Sequence, residues 1–401
     1  MTTYDRPTHD VIVVGARCAG AATAMLLARR GLRVLVLDRA RYGSDTVSTH
    51  ALMRGGVLQL KRWGLLDEIV AAGTPPVTRV VFHYPDETTP ISLKTAAGVS
   101  ALYAPRRTVL DRVLVDAAIA AEADVRFGVT VTELLRDDTG RVTGIAGRDV
   151  GGQRLIATAP LTVGADGIRS VVARETGAPV IRTARTSGGS FLYGYWEDLP
   201  VSGYEWLYAP GGSAGLIPTN DGQTVVFVGT TQARMKAARR AGNAHQAFDT
   251  LLDTVSPVAA DRVSAAKPPR GLRGFTSMAG YLRQSWGPGW ALVGDAGYFE
   301  DPLSTHGITD ALRDAELLAG AVAELHSGTA AEAVALACYQ TTRDALVRRL
   351  FGAVEVIATH AWTIPQLRRL LLEASSAMSE QVEALQSLDQ HERSTAPVLA
   401  G

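Results

Sequence analysis

The sequence predicts an α/β fold: a doubly wound parallel sheet, interrupted by an inserted and mainly antiparallel sheet, and followed by a helical C-terminal region. Three observations predict it. Residues 10–38 read as strand, glycine turn, helix and strand. Residues 188–231 crowd aromatic side chains into alternating, strand-like runs between glycine and proline turns. Beyond residue 326, apolar residues recur at helical spacing.

The first element starts with the apolar run Val11–Val14 and turns at Gly15-Ala16-Arg17-Cys18-Ala19-Gly20. Gly15 suits the tight turn and Gly20 the close packing of helix on strand, while a second apolar run ends in the acid Asp38, followed by Arg39. This is the outline of a site for the ADP half of a dinucleotide, and it points to redox chemistry. Arg17 stands where a glycine normally lets backbone approach a pyrophosphate; its guanidinium is suited to pairing with a phosphate instead.

Next come a loop at 41–49, a helical pattern at 51–63 stopped by Gly64, and short strands at 79–84 and 90–94. A helix is expected at 108–121, then strands at 125–134, 141–147, 153–158 and 161–165. In the aromatic region, Phe191, Tyr193 and Tyr195 share one face of a strand, and Tyr204, Trp206 and Tyr208 share another, because side chains alternate with period two. Such a face is either an aromatic substrate wall or an ordinary sheet core.

A buried strand then runs into Gly294-Asp295, and the segment Asp301-Pro302-Leu-Ser-Thr-His306-Gly307-Ile308 opens a long helix. The free N–H groups and partial positive charge at such a start suit an anionic ring atom. Helices are expected at 331–350, 353–361 and 364–390. In the last of these, Leu367, Leu370, Leu371, Ala374 and Met378 form an apolar stripe suited to a clasp or a dimer contact. The final ten residues are expected to fray.

Composition excludes several classes. Forty basic residues balance forty acidic ones among 401, so no global field recruits nucleic acid or an anionic membrane. The two cysteines, Cys18 and Cys338, have neither metal nor disulfide spacing, which points to a reducing compartment and no metal. The polar N-terminus and the broken apolar stretch at 11–28 indicate neither a leader nor an integral membrane segment, so a cytoplasmic location is expected.

Together three segments resemble the flavin-dependent aromatic hydroxylases, the p-hydroxybenzoate hydroxylase-like class A flavoprotein monooxygenases. They are the turn at 15–20, the Asp166-Gly167 segment within Val163–Arg174, and Gly294-Asp295 with Pro302 and Gly307. The resemblance implies a Rossmann-like FAD-binding domain (GR2-type) formed by 1–77, 98–180 and 278–325. It also implies a substrate-binding β-sheet domain from 78–97 and 181–277, with 326–401 as the C-terminal helical region. FAD would be held by Gly15, Ala16, Arg17, Cys18, Ala19, Gly20, Asp38, Arg39, Arg54, Arg107, Asp166, Gly294, Asp295, Gly307 and Ile308, with Arg106 rivalling Arg107.

By the same resemblance, Pro302, His306, Gly307 and Ile308 would form the flavin environment, and Tyr193, Tyr195, Trp206, Tyr208 and His50 the substrate pocket. The implied reaction is hydroxylation of an aromatic or polycyclic small molecule with NAD(P)H and molecular oxygen, through a flavin C4a-hydroperoxide, by a monomer or homodimer. Departures include Arg17, Tyr298 for the usual histidine, and Thr309 for the usual asparagine; similar ones occur among relatives of geranylgeranyl reductases. A reductase of that type is therefore the first alternative. Flavin oxidation or cyclisation, a halogenase (no Trp-x-Trp-x-Ile-Pro is present) and a non-catalytic binder follow.

Overall fold

The computed structural model describes residues 9–395. From the N-terminus run β1 (Val11–Val14), α1 (Cys18–Ala28), β2 (Val34–Asp38), α2 (Arg54–Arg62) and α3 (Leu66–Ala71). Strands β3 (Arg79–His83) and β4 (Thr88–Ser92) precede α4 (Arg107–Ala120). Then follow β5 (Asp124–Phe127), β6 (Thr130–Arg136), β7 (Val142–Arg148), β8 (Arg154–Thr158), β9 (Leu161–Gly164), α5 (Val171–Thr176) and β10 (Val180–Thr183).

The inserted part contains β11 (Gly189–Trp196), β12 (Tyr204–Ala209), β13 (Gly212–Pro218), β14 (Thr224–Thr231), α6 (Gln232–Ala241), α7 (Ala244–Val255) and α8 (Pro257–Ser264). The chain returns through β15 (Arg273–Thr276), β16 (Tyr281–Arg283), β17 (Trp286–Gly287), β18 (Trp290–Leu292) and β19 (Tyr298–Phe299). It ends with α9 (Gly307–His326), α10 (Glu332–Ile357) and α11 (Ile364–Thr395).

The first sheet has the order β17-β18-β9-β1-β2-β5, parallel except for the two-residue edge strand β17. Its central strands are buried on both faces, as uninterrupted Val/Ile/Leu runs require. Val11, Val13, Val34 and Val36 pack on α1, α4 and α9. Ile12, Val14, Leu35 and Leu37 pack instead on α5 and on the antiparallel meander β6-β7-β8. The second face of the expected doubly wound sheet is thus covered mainly by strands, whose alternating sequence supplies one apolar side.

The larger sheet, β15-β11-β14-β13-β12-β3-β4, joins residues 79–92 to 189–276 through a parallel pairing of β3 with β12. One face, with Leu192, Trp196, Val226 and Val228, packs on α7 and α8. The other carries both aromatic trios.

Three expectations need correction. The strand at 125–134 is two strands, separated where Gly128 turns with φ +73°. The helix expected from 51 begins at Arg54, since Ala51 and Leu52 are extended and Leu52 bridges Tyr103. The helices at 331–350 and 353–361 are one, α10, because a β-carbon at Gly352 would meet nothing: the glycine costs propensity without forcing a break. Helix α11 continues to Thr395, so only 396–401 of the expected frayed tail lies outside the described residues. Among the described residues no helix is long and apolar enough to cross a membrane.

Candidate active site

Three loops meet at the C-terminal ends of the adjacent strands β18, β9 and β1, where ligands bind in open parallel sheets. Their approach explains the glycines. Gly15 turns with φ +103°, and a β-carbon there would sit 2.4 Å from the Ala165 carbonyl oxygen. One on Gly20 would sit 1.8 Å from the Gly15 oxygen, and one on Gly294 3.0 Å from the Ala19 β-carbon. Residues 15–20, 165–167 and 294–295 therefore form one contiguous surface.

Asp38 closes the first loop: Oδ2 accepts from the Ala16 N–H and Oδ1 from the Ala40 N–H, both at 2.7 Å. Neighbouring Arg39 is exposed. Arg17 turns sideways, its Nη1 lying 2.9 Å from Asp111 Oδ2 and 2.9 Å from the Ser44 carbonyl oxygen. Arg107 binds the other oxygen of Asp111 through Nε and Nη2, at 3.0 and 2.9 Å, and Cys18 Sγ donates to the same oxygen at 3.1 Å. Burial pushes the Cys18 thiol up, so it is an inert donor. Asp111, which the sequence reading passed over, is the hub; its i, i+4 spacing from Arg107 was the available signal. Two guanidiniums on one carboxylate leave a net positive charge beside the start of α1, whose first N–H groups have no side-chain cap.

Arg54 is engaged elsewhere. Its guanidinium donates to the carbonyl oxygens of Lys94, Ala96 and Val99, pinning the 94–99 loop. Arg106 diverges from Arg107: it reaches Gln223 and Asp45 and lies 3.8 Å over the Tyr195 ring. Asp166 accepts from Ser170 Oγ at 2.5 Å and the Val171 N–H at 2.6 Å, bracing the start of α5.

Asp295 is different, since its carboxylate makes no hydrogen bond among the described residues. Burial pushes its pKa up to about 7 against the charge of Arg107, with Asp310 and Asp314 adding to the rise. A hydroxyl-bearing ligand would meet an acceptor that the protein has left free.

The turn Pro302–Ser304 is held by Asp301, which accepts from the Leu303 N–H at 3.0 Å and from the Gly189 N–H of β11 at 3.0 Å. Gly307 then opens α9 exposed, with nothing within 4 Å of a notional β-carbon, and no side chain caps the helix. His306 neither caps α9 nor faces solvent; it is 1% exposed, and its Nδ1 lies 3.1 Å from Asp310 Oδ1.

On the aromatic face, Leu303 of this turn packs against the cluster that holds Phe191 and Tyr193 together with Tyr204, Trp206 and Tyr208. The Tyr193 hydroxyl accepts from the Ser48 N–H, and His50 Nε2 is 2.6 Å from the Tyr195 hydroxyl. Burial and the charges of Arg106, Arg107 and Arg273 hold His50 far below the usual imidazole range, so it is neutral. Tyr193, Trp206 and Tyr208 are all packed, at 2%, 8% and 6% exposure: Tyr208 stacks on Tyr84 and meets Trp362, and Leu367 of α11 joins the same cluster, while Tyr195 is only partly buried. The apolar stripe of α11 is in part a clasp on this sheet, which sequence periodicity alone left open.

A parallel sheet with a glycine turn, an acid closing its second strand and helix starts without side-chain caps defines a dinucleotide-dependent oxidoreductase. The geometry suits a flavin dinucleotide: the starts of α1 and α9 carry no side-chain cap, two arginines share Asp111, the Asp295 carboxylate accepts no hydrogen bond among the described residues, and Gly307 is open.

The chain belongs to the FAD binding domain family, whose profile matches residues 8–353, and is an FAD-dependent oxidoreductase. It is 27% identical over 354 residues to a digeranylgeranylglycerophospholipid reductase of Methanocella arvoryzae, covering 86% of this chain and 84% of the relative. It is 28% identical over 333 residues to a menaquinone reductase of Mycolicibacterium smegmatis, covering 77% and 75%. Its fold matches PqsL, a probable FAD-dependent monooxygenase from Pseudomonas aeruginosa, with a TM-score of 0.79 at 21% identity, covering 90% of this chain and 99% of the other.

Proposed function

We propose that this oxidoreductase is a monooxygenase that takes electrons from NAD(P)H and hydroxylates a large, flat, apolar small molecule with molecular oxygen. The observation that carries the reading is the tie between the Pro302–Ser304 turn and β11, the strand that bears Phe191, Tyr193 and Tyr195: Asp301, which caps the turn, accepts from the Gly189 N–H at 3.0 Å.

In this reading Gly15, Ala16, Arg17, Cys18, Ala19 and Gly20 hold the FAD pyrophosphate at the α1 start, and Arg107 supports it through Asp111. Asp38 and Arg39 border the adenosine, and Gly294 and Asp295 bind the ribityl hydroxyls. Gly307 and Ile308 offer backbone N–H groups to the ring, as the resemblance implies. Arg54 and Asp166 act indirectly, by fixing the loops they bind. When bound, FAD supplies electron acceptance and oxygen activation. The chain's own part is to orient the substrate on Tyr193 and Tyr195 and to exclude water with the packed aromatic face. Neutral His50, with Nε2 2.6 Å from the Tyr195 hydroxyl, fixes that ring at the edge of the substrate pocket. A cytoplasmic location suits this chemistry.

The second reading is reduction of an isoprenoid chain, favoured by the two reductases at 27% and 28% identity. Following NAD(P)H consumption with and without oxygen, using polycyclic and prenylated substrates, separates the two. The monooxygenase reading expects oxygen-dependent turnover, with label from isotopic oxygen in the product. Anaerobic turnover giving a saturated isoprenoid would replace it with the second reading, and a colourless protein that takes up no FAD would overturn both.

A further inference from the structure

Behind the α9 start lies a cluster that the proposed reaction does not use. Glu300, His306 and Asp310 are 6%, 1% and 2% exposed, and each offers one ligand atom within 4.8 Å of the others. Glu300 Oε1 and Asp310 Oδ2 are buried without a hydrogen-bond partner, and His306 Nδ1 lies 3.1 Å from Asp310 Oδ1. Two orphaned carboxylate oxygens beside a buried imidazole nitrogen are costly unless something fills the space between them.

The surroundings settle the sign of the filler. The Tyr298 hydroxyl donates to Glu300 Oε2 at 2.7 Å, Ser304 faces the same carboxyl, and Arg313 binds Asp310 Oδ1 and Asp314 Oδ1. Arg313 thus serves Asp310 and Asp314 but not Glu300, and two carboxylate oxygens stay unpaired beside the imidazole nitrogen. With the acids ionised and the His306 proton on Nε2, all three offer acceptors to a cation, which displaces the proton that burial and neighbouring Asp310 favour on Glu300.

We propose that Glu300, His306 and Asp310 bind one divalent first-row metal ion, of the zinc or manganese class, as a structural brace between the 300–306 turn and the first turn of α9. One imidazole with two carboxylates is a donor set for Zn²⁺, Mn²⁺ or Fe²⁺, and the nitrogen disfavours Ca²⁺ and Mg²⁺. Glu300 also lines a small surface recess with Thr186, Gly188, Asp301, Phe351 and Glu355, so one ligand of the cluster lies next to solvent. Arg313 leaves Asp310 Oδ2 free for ligation while neutralising Oδ1.

The full-length protein, stripped with chelator and dialysed against Zn²⁺ or Mn²⁺, tests this by elemental analysis, Mn²⁺ electron paramagnetic resonance and thermal melting. One equivalent per chain is expected, with a raised Tm; His306→Gln and Glu300→Gln should each lower bound metal at least ten-fold, whereas His245→Gln should leave it unchanged. No saturable uptake, or uptake that survives both cluster substitutions, would overturn the site. Should either variant misfold, anomalous scattering from a Zn²⁺-soaked wild-type crystal decides: a peak among the three residues supports the ion, and a water or empty density there overturns it.

Discussion

Arg17 Nη1 and Asp111 Oδ2 form a 2.9 Å ion pair across the start of α1, and the same carboxylate binds Arg107. The arginine that replaces a glycine in the dinucleotide turn is therefore held in place by the protein before any phosphate arrives. It also anchors the 41–49 loop through Ser44.

Arg17→Gly is expected to lower FAD affinity about ten-fold, on the order of one charge-assisted hydrogen bond, and to make the 41–49 loop more sensitive to protease. Flavin fluorescence titration and limited proteolysis read the two effects separately. Faster cleavage with unchanged affinity would restrict Arg17 to anchoring the loop.

Two glycines should part company. Gly20→Ala forces a β-carbon to 1.8 Å from a backbone oxygen, so the cost is several kcal/mol, as for other severe core clashes, and the soluble yield should collapse. Gly307→Ala meets open space and should leave Tm within about 2 °C while weakening FAD binding. Equal loss of stability in both variants would contradict the open approach to α9.

Asp295 gives a pH signature. Its folded pKa is raised to about 7, so the cofactor-free folded chain retains a proton that the unfolded chain releases near pH 4. That contribution is present at low pH and is lost as pH rises towards 7. After discounting for partial exposure, Asp295→Asn should therefore stabilise the cofactor-free protein by roughly 2 kcal/mol above about pH 7 and weaken its grip on FAD. Urea denaturation across pH with a flavin titration checks both; a variant less stable at every pH would refute the assignment.

His360 gives the opposite slope. Burial presses its pKa to about 4, opposed by the Ala358 carbonyl and assisted by Arg234, and Nε2 meets Ser213 Oγ at 3.1 Å. The unfolded chain takes a proton below about pH 6.5 that the folded chain refuses, so stability falls by up to about 3 kcal/mol between there and about pH 4. His360→Asn should flatten that part of the stability curve by about one proton. Parallel curves for the two proteins would show that His360 is not its source.

Sequence alone determined the parts whose physics is local. The glycine turn, the strand ending at Asp38, the acid after Gly294 and the alternation of Phe191, Tyr193 and Tyr195 each depend on backbone φ or on a period that neighbouring residues express. Only the tertiary structure decided what those side chains face. It brought Asp111 to Arg17 from 94 residues away, turned Arg54 onto the 94–99 loop, and laid Trp362 over Tyr208. It also placed His306 beside Glu300 and Asp310, away from solvent. An ionic or aromatic side chain takes its role from the partner that burial selects, and that partner is set by how sheets and helices stack, which no local pattern encodes.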